Sequence, residues 1–264
     1  MLKIVDIHKT FNPNTINEKV ALDGVDLTLE DGEFVTVIGS NGAGKSTLLN
    51  AIAGTWLVDS GKIFIDDIDV TKLSEYKRAQ YIGRVFQDPM MGTAADMWIE
   101  EKLALAHRRG LKRGLKKGTA PDERETFKHL LKEFDLGLED RLSTKVGLLS
   151  GGQRQALTLI MATLQQPRLL LLDEHTAALD PKTASRVLEV TDKIVKKSGL
   201  TTFMVTHNMR DAIKYGDRLL MLNEGKIILD IRGEEKKNLT VDTLLQKFEK
   251  SSGNEFSDDV AILG

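Results

Sequence analysis

Gly39-Ser40-Asn41-Gly42-Ala43-Gly44-Lys45-Ser46-Thr47 fits the pattern G-x-x-x-x-G-K-[ST] without a mismatch, and the rest of the chain is arranged around it. Just upstream, Phe34-Val35-Thr36-Val37-Ile38 is an apolar, β-branched run suited to a buried strand; downstream, Ser46 to Ala53 reads as the opening of a helix. Strand, glycine loop and helix in that order are the setting of a phosphate cradle. The glycines let backbone N–H groups curl inward round a phosphate where a side chain would block the approach. The helix N-terminus contributes roughly +0.5 elementary charge, and Lys45 adds a full charge aimed at β- and γ-phosphates. Ser46 offers a hydroxyl to Mg²⁺. A glycine-rich turn between strand and helix need be no more than a turn; Lys45 and Ser46 in register are what point to a ligand.

The 264 residues suffice for one large domain, or a core with a sub-domain. No apolar run approaches the length of about 18 residues that spans a bilayer; the densest is Leu169 to Leu172. Met1-Leu2-Lys3-Ile4-Val5-Asp6 alternates like a strand and lacks the apolar centre of a signal peptide, so a cytoplasmic location is expected. Without cysteine, disulfides, thiolate metal sites and cysteine nucleophiles are excluded together. A net charge of −2 supplies no general attraction for nucleic acid.

Taken in order, Leu2 to Leu29 predicts a strand, a loop at Asn12-Pro13-Asn14-Thr15 and a second strand. Phe11, at the start of that loop, either packs on the sheet edge or offers its face to a purine base. Lys62 to Asp66 and Ile82 to Phe86 predict further strands, the second broken by Gln87-Asp88-Pro89. Between Asp96 and Phe134 helical signals replace strand signals, with Trp98, Leu103 and Leu105 in one segment and Phe127, Leu130, Leu131 and Phe134 in another. This predicts an inserted helical sub-domain, about 88–160. The basic connection from Arg108 to Gly118 is either a solvated loop or a contact for anionic lipid or an acidic partner.

Leu149-Ser150-Gly151-Gly152-Gln153-Arg154-Gln155 precedes a helical run from Ala156 to Gln165. Ser150 and two glycines can cap that helix and can equally present N–H groups to an anion. Leu169 to Leu172 predicts a buried strand delivering Asp173 and Glu174 at its carboxyl end, where α/β sheets bind ligands. Two buried adjacent acids need a counter-charge. Asp180-Pro181 starts a helix through about Lys197. A strand from Thr201 to Thr206 then places His207 much as Asp173 and Glu174 are placed, and Arg218–Asn223 with Lys226–Ile231 predicts a hairpin. The domain is expected over 1–235, followed by a charged tail, 236–264, with one short helix from Thr240 to Lys250 and a loosely held end. No internal repeat is found, so each motif occurs once.

Together these motifs resemble the ATP-binding cassette family, as the stand-alone ATPase subunit of a transporter, from about Leu2 to Ile231. Gly39 to Thr47 is similar to Walker A, Leu149-Ser150-Gly151-Gly152-Gln153 to the family signature, Leu169 to Glu174 to Walker B, Gln87 to the Q-loop, Ala178-Leu179-Asp180 to the D-loop and His207 to the switch histidine. Other P-loop enzymes, kinases and GTPases among them, lack the signature. Phe11 falls where the family places its adenine-stacking aromatic, while His175 departs from the proline that more often follows the Walker B glutamate. The resemblance implies an α/β fold: a P-loop NTPase (RecA-like) core with an antiparallel β sub-domain and the helical insertion.

It also implies the chemistry. ATP is bound by Phe11 and by Gly39, Ser40, Asn41, Gly42, Ala43, Gly44, Lys45, Ser46 and Thr47. Ser46 and Gln87 ligate Mg²⁺, with Asp173 holding it through water. Glu174 orients and deprotonates the attacking water, and His207 contacts the γ-phosphate. Gly151, Gln153 and Asp180 belong to the nucleotide-binding set, and Ser150 and Gly152 reach the γ-phosphate of the nucleotide on the opposite copy in a head-to-tail dimer. Expected partners are transmembrane permease subunits and an extracytoplasmic solute-binding protein, with no nucleic acid, and the chain peripheral on the inner membrane face. The stretch Glu174 to Thr183 is similar to a subgroup linked to uptake of small organic solutes, aromatic amino acids among them. An exporter ATPase, or a soluble cassette acting on ribosomes or DNA, are the alternatives; translation factors of the family usually carry two cassettes and its DNA-repair members long coiled coils, and this chain has neither.

Overall fold

The computed structural model describes residues 1–111, 119–135 and 137–252. Leu2–Phe11 (β1) and Lys19–Leu29 (β2) pair antiparallel, with Leu2 opposite Leu29 and Phe11 opposite Lys19. Their alternation turns Leu2 and Ile4, with Val25, Leu27 and Leu29, to the buried side, and a bulge at Asp6 (φ 46°) brings Ile7 back to it. The chain then crosses into Phe34–Gly39 (β3), buried along its whole length, and through the glycine loop into Lys45–Ala53 (α1). Ser60–Ile65 (β4) and Ile68–Asp69 (β5) return to the first sheet, giving the order β2-β1-β4-β5. The strand expected to run to Asp66 stops at Ile65, because Asp66 takes a left-handed φ of 53° and makes the turn. The short helix Glu75–Arg78 (α2) leads to Ile82–Val85 (β6).

Ile99–His107 (α3), Pro121–Glu133 (α4), a 3₁₀ turn at Val146–Leu148 and Gly151–Thr163 (α5) form the helical lobe. Its core takes Ile99, Leu103, Phe127, Leu131 and Phe134. Trp98 and Leu105, grouped with Leu103 in the sequence, are exposed, since Trp98 precedes the first helical turn and Leu105 lies off the buried stripe. In the basic connection, Arg108 pairs with Glu123 at 2.8 Å and Arg109 donates to the Ala162 carbonyl at 2.7 Å, so both tie the lobe together. Residues 112–118 of that connection lie outside the described residues.

The second sheet is completed by Leu169–Asp173 (β7), Thr202–Val205 (β8), Arg218–Asn223 (β9) and Lys226–Arg232 (β10). Pro181–Ser198 (α6) and Met209–Lys214 (α7) connect them. Its order is β10-β9-β3-β8-β7-β6, parallel except for the β9–β10 hairpin. The carboxyl ends of β3, β7 and β8 therefore open on one side of the sheet, carrying Gly39, Asp173 and the approach to His207.

Beyond the hairpin, Gly233–Lys237 (α8) and Val241–Ser252 (α9) follow. The charged run 233–237 masked the first of these in the sequence. α9 is the expected helix, and it is docked: Leu244 and Phe248 join Ile38, Met209, Leu219 and Met221 in one buried cluster. Lys236 is buried as well, its ammonium donating to the carbonyls of Ile213, Tyr215 and Gly216 at 2.8–3.0 Å.

Candidate functional site

The loop after β3 is held in a form that only glycine fits. At Gly39 (φ 153°) an added Cβ would lie 2.3 Å from the Leu222 carbonyl oxygen, and at Gly44 (φ 103°) 2.5 Å from that of Ala21. Lys45 is only 6% exposed, and its ammonium donates to the Gly39 and Ser40 carbonyls at 2.6 and 3.0 Å. The amino terminus of α1 faces the space the loop encloses. A cleft of about 230 Å³ opens there, lined by Ser40, Asn41, Gly42, Gly44, Lys45, Ser46 and Thr47 from the loop. Phe11, Lys19 and Ala21 come to it from the first sheet and Glu174 from beyond β7. Ala43 is buried within the loop and Gly39 forms its base.

Asp173 closes β7 in a desolvated corner. Burial pushes its carboxyl above the usual aspartate range, the adjacent Glu174 charge adds to that, and Arg84 opposes it. Arg84, on β6, donates to Asn50 Oδ1 at 2.8 Å and Thr55 Oγ1 at 3.0 Å and reaches Asp173 Oδ2 at 3.4 Å. Its guanidinium also lies 4.5 Å from the Phe86 ring centroid. Glu174 has φ 43°, a strained backbone for a glutamate, and its Oε2 stands 3.5 Å from His207 Nδ1. Carboxylate and imidazole thus face each other at the edge of the cleft, at a range a small rotation converts into a hydrogen bond.

The next residue, His175, turns the other way into the core. Its Nε2 lies 3.1 Å from Thr191 Oγ1, whose own proton goes to the Val187 carbonyl at 2.8 Å. The hydroxyl has one proton to give, so His175 Nε2 is the donor, and burial keeps the ring neutral. Burial pushes its pKa down to about 4.

Phe11 meets Trp56 edge-on, ring centroids 4.9 Å apart at 78°. The loop carrying Trp56 also grips the end of β1 through Asp59, which accepts from Lys9 Nζ at 2.7 Å and Thr10 N at 2.6 Å. One face of Phe11's ring environment is thereby fixed while the residue still lines the cleft.

Other expected site residues stand apart. Gln87 is exposed on the loop after β6, outside the lining of the cleft; the loop is held by Gln155, which donates to the Phe86 carbonyl at 2.9 Å. Ser150 caps α5 reciprocally with Gln153, each accepting from the other's backbone at 3.3 Å. The helix starts at Gly151 rather than Ala156 because of that cap. A Cβ at Gly152 would meet Thr183 Cγ2 at 2.1 Å, so this glycine lets α5 press against α6. Asp180 caps α6, and hydrogen bonds from Thr183 hold its carboxyl below the usual range. Ser150, Gly152 and Gln153 line a different cavity, of about 560 Å³, with Lys182, Thr183 and Arg186.

The sequence reading missed Arg84, Lys19 and Trp56. Arg84 had a signal, a lone cation inside the apolar run before Gln87 and two acids in want of a counter-charge. Lys19 and Trp56 had none short of the strand register and the path of the loop after α1.

Comparison with known proteins adds to this geometry. The family model described as ABC transporter matches residues 22–177. The chain is 51% identical over 254 residues to a tyrosine transport ATP-binding protein of Clostridioides difficile (strain R20291), covering 94% of this chain and 99% of that protein. It is 36% identical over 232 residues to the methionine import ATP-binding protein MetN of Rhizobium johnstonii, covering 86% of this chain and 60% of that one. Among solved structures, a dimeric post-hydrolysis state of the ATP-binding cassette MJ0796 bound to ADP and Pi superposes with TM-score 0.74 at 29% identity, over 88% of this chain and 98% of that chain. The structure of cbiO1 from Clostridium perfringens, part of the ABC transporter complex cbiONQ, gives 0.75 at 25% identity over 94% of each chain.

Proposed function

The chain belongs to the ABC transporter family, as one of its ATP-hydrolysing cassettes, and from that premise we propose that it is the energy-coupling subunit of a bacterial importer for a small organic solute of the amino-acid class. The observation that carries the mechanistic part is the separation of the phosphate loop and the Ser150-Gly151-Gly152 turn onto different cavities of one chain. Each site is then half of a catalytic centre, and a head-to-tail pair of copies brings the halves together. The tyrosine and methionine transport functions of the two relatives support the solute class.

Within the centre, Phe11 stacks on adenine, while Lys45, Thr47 and the amides from Gly39 to Gly44 hold the phosphates. Glu174 takes the proton of the attacking water, and His207 fixes that carboxylate and meets the γ-phosphate. Ser150, Gly151, Gly152, Gln153 and Asp180 act across the interface. Magnesium suits the donors present, because Ser46 lines the cleft, Asp173 is a desolvated carboxylate beside it, and Mg²⁺ takes few protein ligands and keeps waters. Ser46 and Gln87 would hold it, with Asp173 acting through water; when bound it neutralises phosphate charge. Gln87 reaches that position only if the loop after β6 closes toward the phosphates, which makes the loop a mechanical link.

A groove of about 630 Å³ lies between that loop, at Phe86, Asp88 and Met91, and Lys102 and Leu105 of α3 with Arg109 just beyond the helix. We assign it to a membrane subunit. Among the described residues no helix is long and apolar enough to cross a membrane, so the chain would sit peripherally on the inner face, with a solute-binding protein completing the system. Affinity purification from detergent-solubilised membranes tests this. Permease subunits should be retained, whereas recovery of ribosomes or DNA in their place would overturn the transport reading. Independently, Glu174→Gln should bind ATP normally and lose turnover by roughly 10²–10⁴-fold; hydrolysis at the wild-type rate would remove Glu174 as the base.

A further inference from the structure

We propose that Lys19 is a second phosphate-binding cation of the nucleotide cleft, delivered by β2 to the turn that Lys45 serves from α1. The inference rests on the nucleotide reading of that cleft and adds a residue to it. Lys19 is the partner of Phe11 in the β1–β2 register, so the residue expected to meet the base and this lysine enter the cleft from the same edge. Its ammonium lies 3.1 Å from the point where a Cβ on Gly42 would stand. Glycine at that position, with φ 82°, therefore does two things: it makes the turn, and it leaves room for a cation over the loop.

The two lysines differ in their state. Lys45 is buried, and two loop carbonyls already take its protons. Lys19 is exposed, and among the described residues its ammonium has neither a hydrogen-bond acceptor nor an acid partner. Glu174, the acid lining the cleft, stands 3.5 Å from His207 instead. An unneutralised cation at the rim of an anion cradle attracts what the cradle binds, and a triphosphate carries more charge than one lysine and a helix end of about +0.5 can offset. The ligand class is a nucleoside di- or triphosphate, recognised at its phosphate chain rather than its base.

Isothermal titration in EDTA with ATP and with inorganic tripolyphosphate, on wild type, Lys19→Met and Lys19→Arg, tests the assignment. Lys19→Met should weaken both ligands about tenfold, the value of one charge-assisted hydrogen bond. Lys19→Arg should stay within about threefold of wild type, and the Met deficit should shrink as salt approaches about 1 M. Because Lys19 is exposed, the ligand-free melting temperature should not move. Wild-type affinity of Lys19→Met for both ligands would overturn the proposal, and so would a deficit with ATP that tripolyphosphate does not share, which would place Lys19 on the nucleoside. Wild-type protein that fails to bind ATP would overturn the nucleotide reading together with this one.

Discussion

At the residue scale, Asp173 and His175 flank Glu174 and are kept tolerable by opposite means. Asp173 has Arg84 as a counter-charge that opposes the effect of burial; His175 is buried as a neutral ring. Burial raises the Asp173 pKa, so its ionised form costs stability at pH values above that pKa, and the cost fades as pH falls through it toward the unfolded value. Removing Arg84 enlarges the cost only where Asp173 is ionised. Arg84→Met should therefore destabilise more at pH 7 than in acid in urea unfolding, and an equal penalty at both would mean that the two charges are not paired. For His175 the sign is that of a depressed base. The unfolded chain takes up a proton near pH 6.5 and the folded chain not until about 4, so stability falls as pH drops through that window. Wild type should lose on the order of 3 kcal/mol there, and His175→Leu should show a flatter profile; parallel profiles would contradict the burial of a neutral ring. The positions of the residues proposed to carry the chemistry were legible, since Lys45, Ser46, Asp173, Glu174 and His207 all sit at strand ends or helix starts that periodicity marks. Their supports were not. Arg84 becomes meaningful only when β6 lies beside β7, and Trp56 only when the loop after α1 folds back on β1.

At the scale of elements, helix starts were readable where side chains cap them. Asp180 with Pro181 marks α6, and Ser150 with Gln153 marks α5, although the capping reading and the anion-binding reading of that turn use the same N–H groups. The close fit of Gly152 against Thr183 shows why local physics left them open: a glycine is needed there for packing alone. The segment after β10 was harder. Its charge suggests solvation, yet α9 places Leu244 and Phe248 on one side and buries them, and the Lys236 ammonium closes the gap by satisfying three carbonyls. Phe248→Ala should therefore cost about 3 kcal/mol in denaturant unfolding. A midpoint equal to wild type would mean that α9 does not dock on the sheet in solution.

At the scale of the whole molecule, sequence order and spatial order part company. The strands and helices of the α/β class, the hairpin and the helical insertion follow from period and turn residues, the antiparallel sub-domain from the family resemblance, and the structure has all four. The strand order β10-β9-β3-β8-β7-β6 does not follow from them, because it is set by crossovers. Nor does the spacing of motifs along the chain say that the phosphate loop and the Ser150 turn line separate cavities. On the proposed head-to-tail pairing, ATP would have greater affinity for the paired state than for the single chain, so nucleotide binding would shift the population toward closure and hydrolysis would release it. Analytical ultracentrifugation of the Glu174→Gln variant with and without saturating ATP tests this most directly. The account predicts a monomer without nucleotide and a dimer with it; a variant that binds ATP and remains monomeric would contradict it.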